Sequence, residues 1–321
     1  MNRQADASGR GLMRPRTTCL PNGLRIVSTP TPRMGSVAIG VWISVGGRHE
    51  SAPLAGASHF IEHLLFKGTR RRSARMIAQS IEGRGGYLNA FTQEESTCFY
   101  ARVMEVHAWE ALDVLADMYR APLFAPSDIK RERDVVIEEI MMYQDQPQNV
   151  VEEMLGELVW PGHPLGRALV GTPATIRAMT RGAIKGFKAA NYVPARTVIT
   201  VAGMDDHAKL VERVARYWGR CAAREPQAPE AIMPRGDHAR IAVRAQKVEQ
   251  VHLAAGIRLF GRHDQRRYAL KLLSVILGEN MSSRLFQEVR EKRGLAYAIS
   301  SAVHLFEDPG MLAITAGLDR R

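Results

Sequence analysis

Residues 56–69 have the sequence GASHFIEHLLFKGT, in which His59 and His63 stand four positions apart among apolar residues. The apolar residues predict a largely buried helix. Positions i and i+4 of a helix lie on one face, so both imidazoles can point a ring nitrogen at a common centre. Glu62 borders that centre, because it follows His59 by three positions. Two imidazoles and a carboxylate suit tetrahedral zinc with a water in the fourth position, and a second carboxylate beside that water can accept its proton. The alternative is a helix whose histidines are merely packed.

A third ligand is predicted on the long helix that begins near Pro126 and includes KRERDVVIEEIMMY. Glu132 and Glu139 are seven positions apart, which is two helical turns, so they share a face. Glu138 faces about 100° away from them. The spacing therefore makes Glu132 and Glu139 the pair of interest, one as the ligand and one as a carboxylate that orients a ligand histidine. A solvated surface charge is the alternative for either.

The composition is that of an ordinary globular protein. The length of 321 residues suits two domains, and 45% hydrophobic with 24% charged residues excludes wholesale disorder, collagen-like repeats and coiled coil. No apolar run reaches ~18 residues, so no membrane-spanning helix is predicted.

Cysteine usage and charge restrict the location and the partners. Three widely spaced cysteines, Cys19, Cys98 and Cys221, argue against a disulfide framework and indicate a reducing compartment, so a cytoplasmic location is predicted. The Arg-rich, acid-poor N-terminus leaves the mitochondrial matrix as the alternative for a eukaryotic protein. The net charge is +11 and the densest basic run is Arg70–Arg72. Because no aromatic residue interleaves this run, nucleic-acid binding is not predicted.

The order of strands and helices occurs twice along the chain. In the second half we expect strands at 239–245, 250–258, 296–305 and 310–317, with helices at 265–278 and 283–292. The prediction is an α+β fold of two related α/β-roll domains, each a mostly antiparallel sheet packed with helices.

Domain boundaries follow from composition. We expect a disordered extension at 1–16, a zinc-binding catalytic domain at 17–221, a linker with three prolines at 222–238 and a second domain at 239–321. The second half has only about 80 residues against about 200 in the first. If the halves are related, the second is expected to be C-terminally truncated and therefore incomplete and unstable alone.

Several segments make residues 17–321 similar to the pitrilysin/insulysin family of zinc peptidases, in particular its branch of short bacterial processing-peptidase-like proteins. The segments are LPNGLRIV, VGGRHE, HFIEHLLFKGT, GGYLNAFTQEESTCFYA, ERDVVIEEIMMYQDQP, HPLGRALVGT and RLFQEVREKRGLAYAISS. The order H-x-x-E-H is the inverzincin signature. The resemblance implies one zinc per chain, held by His59, His63 and Glu139, with Glu62 as the general base. It implies Glu132 as the supporting carboxylate, and favours Glu139 over Glu138 as the ligand.

The resemblance also implies how substrate is bound. Asn89 and Ala90 resemble the segment that pairs with a substrate backbone as an added strand, for which an ordinary hairpin is the alternative. Arg290 and Tyr297 resemble a pair in the second, substrate-clamping domain that reaches the zinc site and stabilises the substrate carbonyl. Arg293 is the neighbouring alternative for the arginine. The alternative without a role in substrate binding is an arginine at a helix end and an unrelated tyrosine on a strand.

The function predicted from these features is a zinc-dependent metalloendopeptidase that hydrolyses extended peptides. The two domains are expected to close around the peptide, and the family implies a homodimer or a heterodimer with a related subunit. The alternatives are a non-catalytic structural or partner subunit of the same fold, and a plain metal-binding module.

Overall fold

A computed structural model of the chain describes residues 14–31, 34–232 and 238–319. The predicted disordered extension at 1–16 lies almost wholly outside the described residues, although Arg16 already belongs to the first strand. The chain forms two compact units, each made of three segments. The first unit comprises Met1–Val45, Ile61–Lys130 and Thr180–Gln227, and the second comprises Gly46–Phe60, Arg131–Met179 and Ala228–Arg321. The predicted domain boundaries come from composition along the sequence, whereas these units are defined by contacts in space. The predicted boundaries therefore stay a prediction.

The first unit is built on a six-stranded sheet. Its strands are β1 (Arg16–Cys19), β2 (Arg25–Thr29), β3 (Ser36–Ile43), β4 (Tyr87–Thr92), β5 (Thr97–Met104) and β6 (Thr197–Ala202). Their order in the sheet is β1-β2-β6-β3-β5-β4. Only the pair β2–β6 is parallel, and the other four pairs are antiparallel. The sheet therefore has the mostly antiparallel character that the sequence predicts.

Alternation along β3 shows why this sheet forms. Val37, Ile39, Val41 and Ile43 are fully buried, with at most 1% of each exposed, because side chains two positions apart point to the same face. On the opposite face, the Trp42 indole donates to Thr200 Oγ1 at 3.1 Å. One side of the sheet thus supplies the core of the first unit.

The helices fall into both units. They are α1 (Ala57–Leu65), α2 (Ala74–Ile81), α3 (Ala108–Arg120), α4 (Pro126–Gln144), α5 (Pro147–Val159), α6 (Pro173–Ala178), α7 (Arg181–Asn191), α8 (His207–Trp218) and α9 (Arg267–Gly278). Among the helices of the described residues, none has both the length and the apolar character needed to cross a membrane.

The second unit contains a three-stranded antiparallel sheet whose central strand is β9. The strands are β7 (Val251–Phe260), β8 (Ala296–Leu305) and β9 (Pro309–Leu318), in the order β7-β9-β8. Leu155 and Val159 of α5 pack in one core cluster with Met311 and Ala313 of β9. A Cβ on Gly256 of β7 would lie 3.0 Å from Leu155 Cδ1, so a glycine lets helix and strand approach closely.

The structure corrects one predicted strand. Residues 239–245 form no strand, and Ile241 and Val243 are 89% and 88% exposed. Apolar alternation is not sufficient for a strand, because the backbone also needs a partner for its hydrogen bonds. In addition, the helix predicted at 283–292 is a π-helical segment, Phe286–Glu291, preceded by two α-helical residues at 284–285 and followed by a turn.

Helices α6 and α7 were not predicted, although the sequence carries their start signals. Thr172 accepts a hydrogen bond from the Thr175 amide at 3.2 Å, and Thr180 accepts one from the Ala183 amide at 3.1 Å. A threonine at the N-cap, followed in α6 by proline at the first helical position, is typical of a helix start. Within the described residues, the predicted linker at 222–238 has no regular secondary structure.

Candidate metal centre

The helix that carries both histidines is held at its start by a buried carboxylate. Glu50, only 4% exposed, accepts hydrogen bonds from the amides of Gly56 at 2.7 Å and Ser58 at 2.6 Å. The first amides of a helix have no partner within the helix, so this carboxylate satisfies donors that would otherwise be buried unpaired. Gly56 has φ +91°, and a Cβ there would lie 2.6 Å from the Val170 carbonyl oxygen. The entry into α1 is therefore fixed by Glu50 and by a required glycine.

Burial of Glu50 has an electrostatic consequence. It raises the pKa of this carboxyl from 4.5 to about 7, while the hydrogen bonds from Ser58 and Gly56 and the charge of Arg167 act in the opposite direction. Arg167 also donates to the Glu50 backbone carbonyl at 2.9 Å. Glu50 belongs to the VGGRHE segment, but the sequence alone gave no reason to place it at the start of α1.

Three predicted residues come together around one point. His59, His63 and Glu139 each offer one ligand atom, and these atoms all lie within 4.8 Å of one another. His59 Nε2 lies 3.6 Å from Glu139 Oε2. Two ligands bound tetrahedrally to zinc at 2.0–2.2 Å are about 3.4 Å apart, so this donor set fits zinc. The i, i+4 spacing on α1 and a carboxylate from α4 produce the arrangement.

The phase of α4 distinguishes its three glutamates. Glu138 is exposed, Glu139 is half-buried and Glu132 is buried, with 6% exposed. Val136 and Ile140 are also buried on this helix. The structure thus brings Glu139, and not Glu138, to the histidines. The roles of Glu139 as ligand and Glu132 as supporting carboxylate stay predictions.

A threonine that sequence reasoning missed contacts the predicted base. Thr92 Oγ1 donates to Glu62 Oε2 at 2.5 Å, which fixes one oxygen of the carboxylate. Thr92 is the last residue of β4, 30 positions from Glu62 along the chain. No spacing rule relates a helix residue to the end of a distant strand, so only the sheet topology shows this contact.

Asn89 and Ala90 lie on β4, which is an end strand of the six-stranded sheet. The strand pairs with β5 as a hairpin, and the pairing of Asn89 and Ala90 with a substrate backbone stays a prediction. The Ala90 amide donates to Asn89 Oδ1 at 2.8 Å, and Asn89 Nδ2 donates to the Tyr87 hydroxyl at 2.6 Å. Within the described residues the outer edge of β4 has no neighbouring strand, which is the geometry that an added peptide strand needs.

Arg290 and Tyr297 lie against one another in the second unit. The Arg290 guanidinium is 5.6 Å from the Tyr297 ring centroid and 4.6 Å from that of Phe286. Tyr297 is 74% exposed, and Arg293 is exposed as well. The two residues are neighbours in the structure, and their action on a substrate carbonyl stays a prediction.

Comparison with known proteins defines the class. Residues 25–173 match the family model "Insulinase (Peptidase family M16)", and residues 178–321 match "Peptidase M16 inactive domain". A relative from Mycobacterium bovis (strain ATCC BAA-935 / AF2122/97), described as an uncharacterized zinc protease, is 42% identical over 319 residues, which is 98% of this chain and 73% of the relative. The chain belongs to the insulinase (M16) family of peptidases, as its sequence predicts.

Solved structures confirm the fold. A protease from Helicobacter pylori has a TM-score of 0.90 at 26% identity and covers 96% of this chain and 76% of its own. Pitrilysin has a TM-score of 0.77 at 22% identity and covers 97% of this chain and 34% of its own, which shows the fold alone. The predicted α+β class is therefore correct. The clustered histidines and Glu139 all fall in the first family match.

The position of Glu139 leads to a first prediction. We expect Glu139→Gln to lower bound zinc strongly, as His59→Ala also does, because each removes one of three ligand atoms. Glu138→Gln is the matched control, one residue away and exposed, and is expected to retain the metal. Metal analysis of the purified variants checks this. Stoichiometric zinc in Glu139→Gln with loss in Glu138→Gln would contradict the ligand assignment.

A second prediction concerns Glu50. Its raised pKa means that the folded state binds the proton more tightly than the unfolded state. The stability it contributes is complete below about pH 4.5 and is lost as the pH rises through about 7. A shift from 4.5 to about 7 corresponds to roughly 3 kcal/mol.

The measurement is urea unfolding of wild type and Glu50→Gln from pH 5 to pH 8, with chelator present throughout. We expect the stability of wild type relative to Glu50→Gln to fall across this range, because glutamine does not titrate. Glu152→Gln, at an exposed position of the same unit, is the control and should run parallel to wild type. Parallel curves for all three proteins would show that Glu50 keeps an ordinary pKa.

Proposed function

We propose that this chain is a zinc-dependent metalloendopeptidase that hydrolyses extended peptides in the manner of a processing peptidase. The observation that carries the proposal is the convergence of the ligand atoms of His59, His63 and Glu139 within 4.8 Å, with Glu62 on the same helix as the histidines. The description of relatives as zinc proteases supports zinc as the metal. One ion per chain is proposed, held by this group of ligand atoms.

The residues have separate tasks in this proposal. His59, His63 and Glu139 would hold the zinc, which when bound lowers the pKa of a water and polarises a peptide carbonyl. The Glu62 carboxylate accepts a proton from the attacking water and delivers it to the leaving amine. The hydrogen bond from Thr92 to Glu62 Oε2 orients the carboxylate for this proton transfer. Buried Glu132 supports the ligands from α4.

Substrate binding is proposed at the outer edge of β4. A peptide that adds to this edge is held by main-chain hydrogen bonds, so recognition depends little on its side chains. Asn89 and Ala90 lie in the middle of the strand, and Thr92 at its end contacts Glu62. A peptide paired along β4 would therefore extend toward the base. Arg290 and Tyr297 are proposed as donors to the developing oxyanion.

The assembly and location belong to the same proposal. Pairing as a homodimer or with a related subunit, and residence in the cytoplasm, are expected from the family resemblance and the cysteine usage. The second candidate function is a non-catalytic partner subunit, which the match of residues 178–321 to an inactive domain favours. Against it, all four residues assigned to zinc and the base lie within residues 25–173.

The experiment that tests the proposal gives a third prediction. Glu62→Gln is expected to keep its zinc and lose about 10²–10⁴-fold in turnover of a quenched peptide library, because glutamine cannot accept the water proton. Glu82→Gln, at an exposed position of the first unit, is the control and should cleave normally. Wild type that binds zinc without cleaving any peptide would favour the partner subunit, and zinc loss in Glu62→Gln would make Glu62 a ligand.

Thr92 supplies a fourth prediction. Thr92→Val preserves shape and strand preference but removes the donor, so we expect about a tenfold lower kcat with zinc content unchanged. Thr92→Ser restores a hydroxyl and should recover most of the rate. Equal losses in the valine and serine variants would show that packing at the end of β4, and not the hydrogen bond, matters.

A further inference from the structure

One lysine amine of the first unit lies over two aromatic rings in a concave site. The site has a volume of about 500 Å³ and is lined by residues of α3, α7, α8 and the loops around them. The ammonium of Lys188, on α7, lies 5.2 Å from the Tyr119 ring centroid and 5.3 Å from that of Tyr192. Both tyrosines are buried, and the Tyr119 hydroxyl shares a hydrogen bond with Thr197 Oγ1 at 2.9 Å. The fixed rings therefore give the amine a defined position.

The charged groups around Lys188 do not compensate its charge. Within the described part of the chain, Lys188 forms no ion pair with a carboxylate. Asp117 is the one carboxylate that lines the site, and it accepts hydrogen bonds from Thr69 Oγ1 at 2.6 Å and from Arg72 at 2.8 Å. The other charged lining residues are all cations, namely Arg70, Arg71, Arg120 and Lys185. An additional positive charge on the Lys188 amine is disfavoured among them.

The environment keeps a large part of this amine neutral. Burial lowers the pKa of Lys188 from 10.5 to about 8, whereas a Cys221 thiolate acts in the opposite direction. At pH 7.5 a lysine with this pKa is neutral in roughly a quarter of molecules, against about 0.1% for an ordinary lysine. Burial also raises the pKa of Tyr119 and of Tyr217, so both phenols stay uncharged. A neutral lysine amine has a lone pair and is a nucleophile.

We propose that Lys188 is a modification site, at which its amine reacts reversibly with carbon dioxide to form a carbamate. The nitrogen lone pair attacks the carbon atom, so that an N–C bond forms and one C–O π pair moves onto oxygen. The nitrogen then releases one proton to water. Starting from the ammonium, two protons are lost in all, and a group of charge +1 becomes a group of charge −1.

The charges of the site favour carbon dioxide over other electrophiles. The carbamate anion attracts Arg70, Arg120 and Lys185, which the ammonium repels. An acyl group on the same amine gives a neutral amide and leaves these cations without a counter-charge. Carbon dioxide is also small and uncharged, so it enters the site without the cost of desolvating an ion.

The test is chemical trapping of the carbamate in the full chain at pH 7.5. The protein is equilibrated with isotopically labelled carbon dioxide and bicarbonate, and triethyloxonium ion then converts any carbamate to a stable ethyl carbamate that peptide mass spectrometry locates. Lys185, at an exposed position one turn earlier on α7, is the internal control. We expect at least about tenfold more label on Lys188 than on Lys185, because the neutral amine is the reacting form. Label should be lost when the protein is moved to carbon dioxide-free buffer before trapping.

The role of the neighbouring cations is tested with Arg70→Gln combined with Arg120→Gln, both at exposed positions of the site. We expect this variant to carry about threefold less label on Lys188, since it has less positive charge to stabilise the anion. Arg25→Gln combined with Arg75→Gln removes two charges from exposed positions outside the site and should match wild type.

Three results would overturn the proposal. They are absence of label on Lys188 in wild type, equal label on Lys185 and Lys188, and label that persists in carbon dioxide-free buffer. Equal losses in the two double variants would show that the local cations do not stabilise the carbamate. The comparison of the two lysines is made within wild type, so it does not depend on the folding of a variant. The readout is the modification itself, which requires neither bound zinc nor peptide cleavage.

Discussion

The buried start of α1 is the constraint on which the candidate metal centre depends. A helix start exposes unpaired amides, and burying them costs free energy unless an acceptor is supplied. Glu50 supplies both of its oxygens to the amides of Gly56 and Ser58, one residue before His59. The carboxyl is expensive to bury as an anion, which its raised pKa reflects. The position of the His59 imidazole is therefore set by hydrogen bonds to a buried carboxyl. The free-energy cost of burying that carboxyl must be offset by other interactions of the fold.

The six-stranded sheet places the strand proposed to bind substrate, β4, against the α1 residue proposed as the base. Buried side chains of β3 fix the middle of the sheet, and β5 lies between β3 and β4. As a result β4 is an end strand, and its last residue, Thr92, meets Glu62. Within the described residues, the strand thus combines an unpaired edge suited to a peptide with a terminal hydroxyl that contacts the proposed base. This combination favours the proposed endopeptidase over a plain metal-binding module.

Local periodicity predicted what depends on local geometry. The i, i+4 histidines on α1 and the face shared by Glu132 and Glu139 follow from helical repeat alone, and the structure brings Glu139 to the histidines. Contacts between distant segments could not be predicted, because neither Glu50 with Ser58 nor Thr92 with Glu62 has a characteristic spacing. The strand expected at 239–245 failed for a related reason, since an alternating pattern does not supply a pairing partner. Arg290 beside Tyr297 came from family resemblance and not from periodicity.

The net charge of +11 counts basic residues but does not show which of them form ion pairs in the folded protein. In sequence, Arg70, Arg71 and Arg72 form one uniform run. In the structure Arg71 and Arg72 are paired with carboxylates of α3, and Arg70 and Arg71 line a concave site together with lysines of α7, which are more than 100 residues away in the sequence. A contiguous run would suggest an extended basic face, whereas the fold pairs two of the three guanidinium groups with carboxylates and, within the described residues, leaves Arg70 without an ion pair. The number of charges in the sequence therefore does not show which of them the fold pairs.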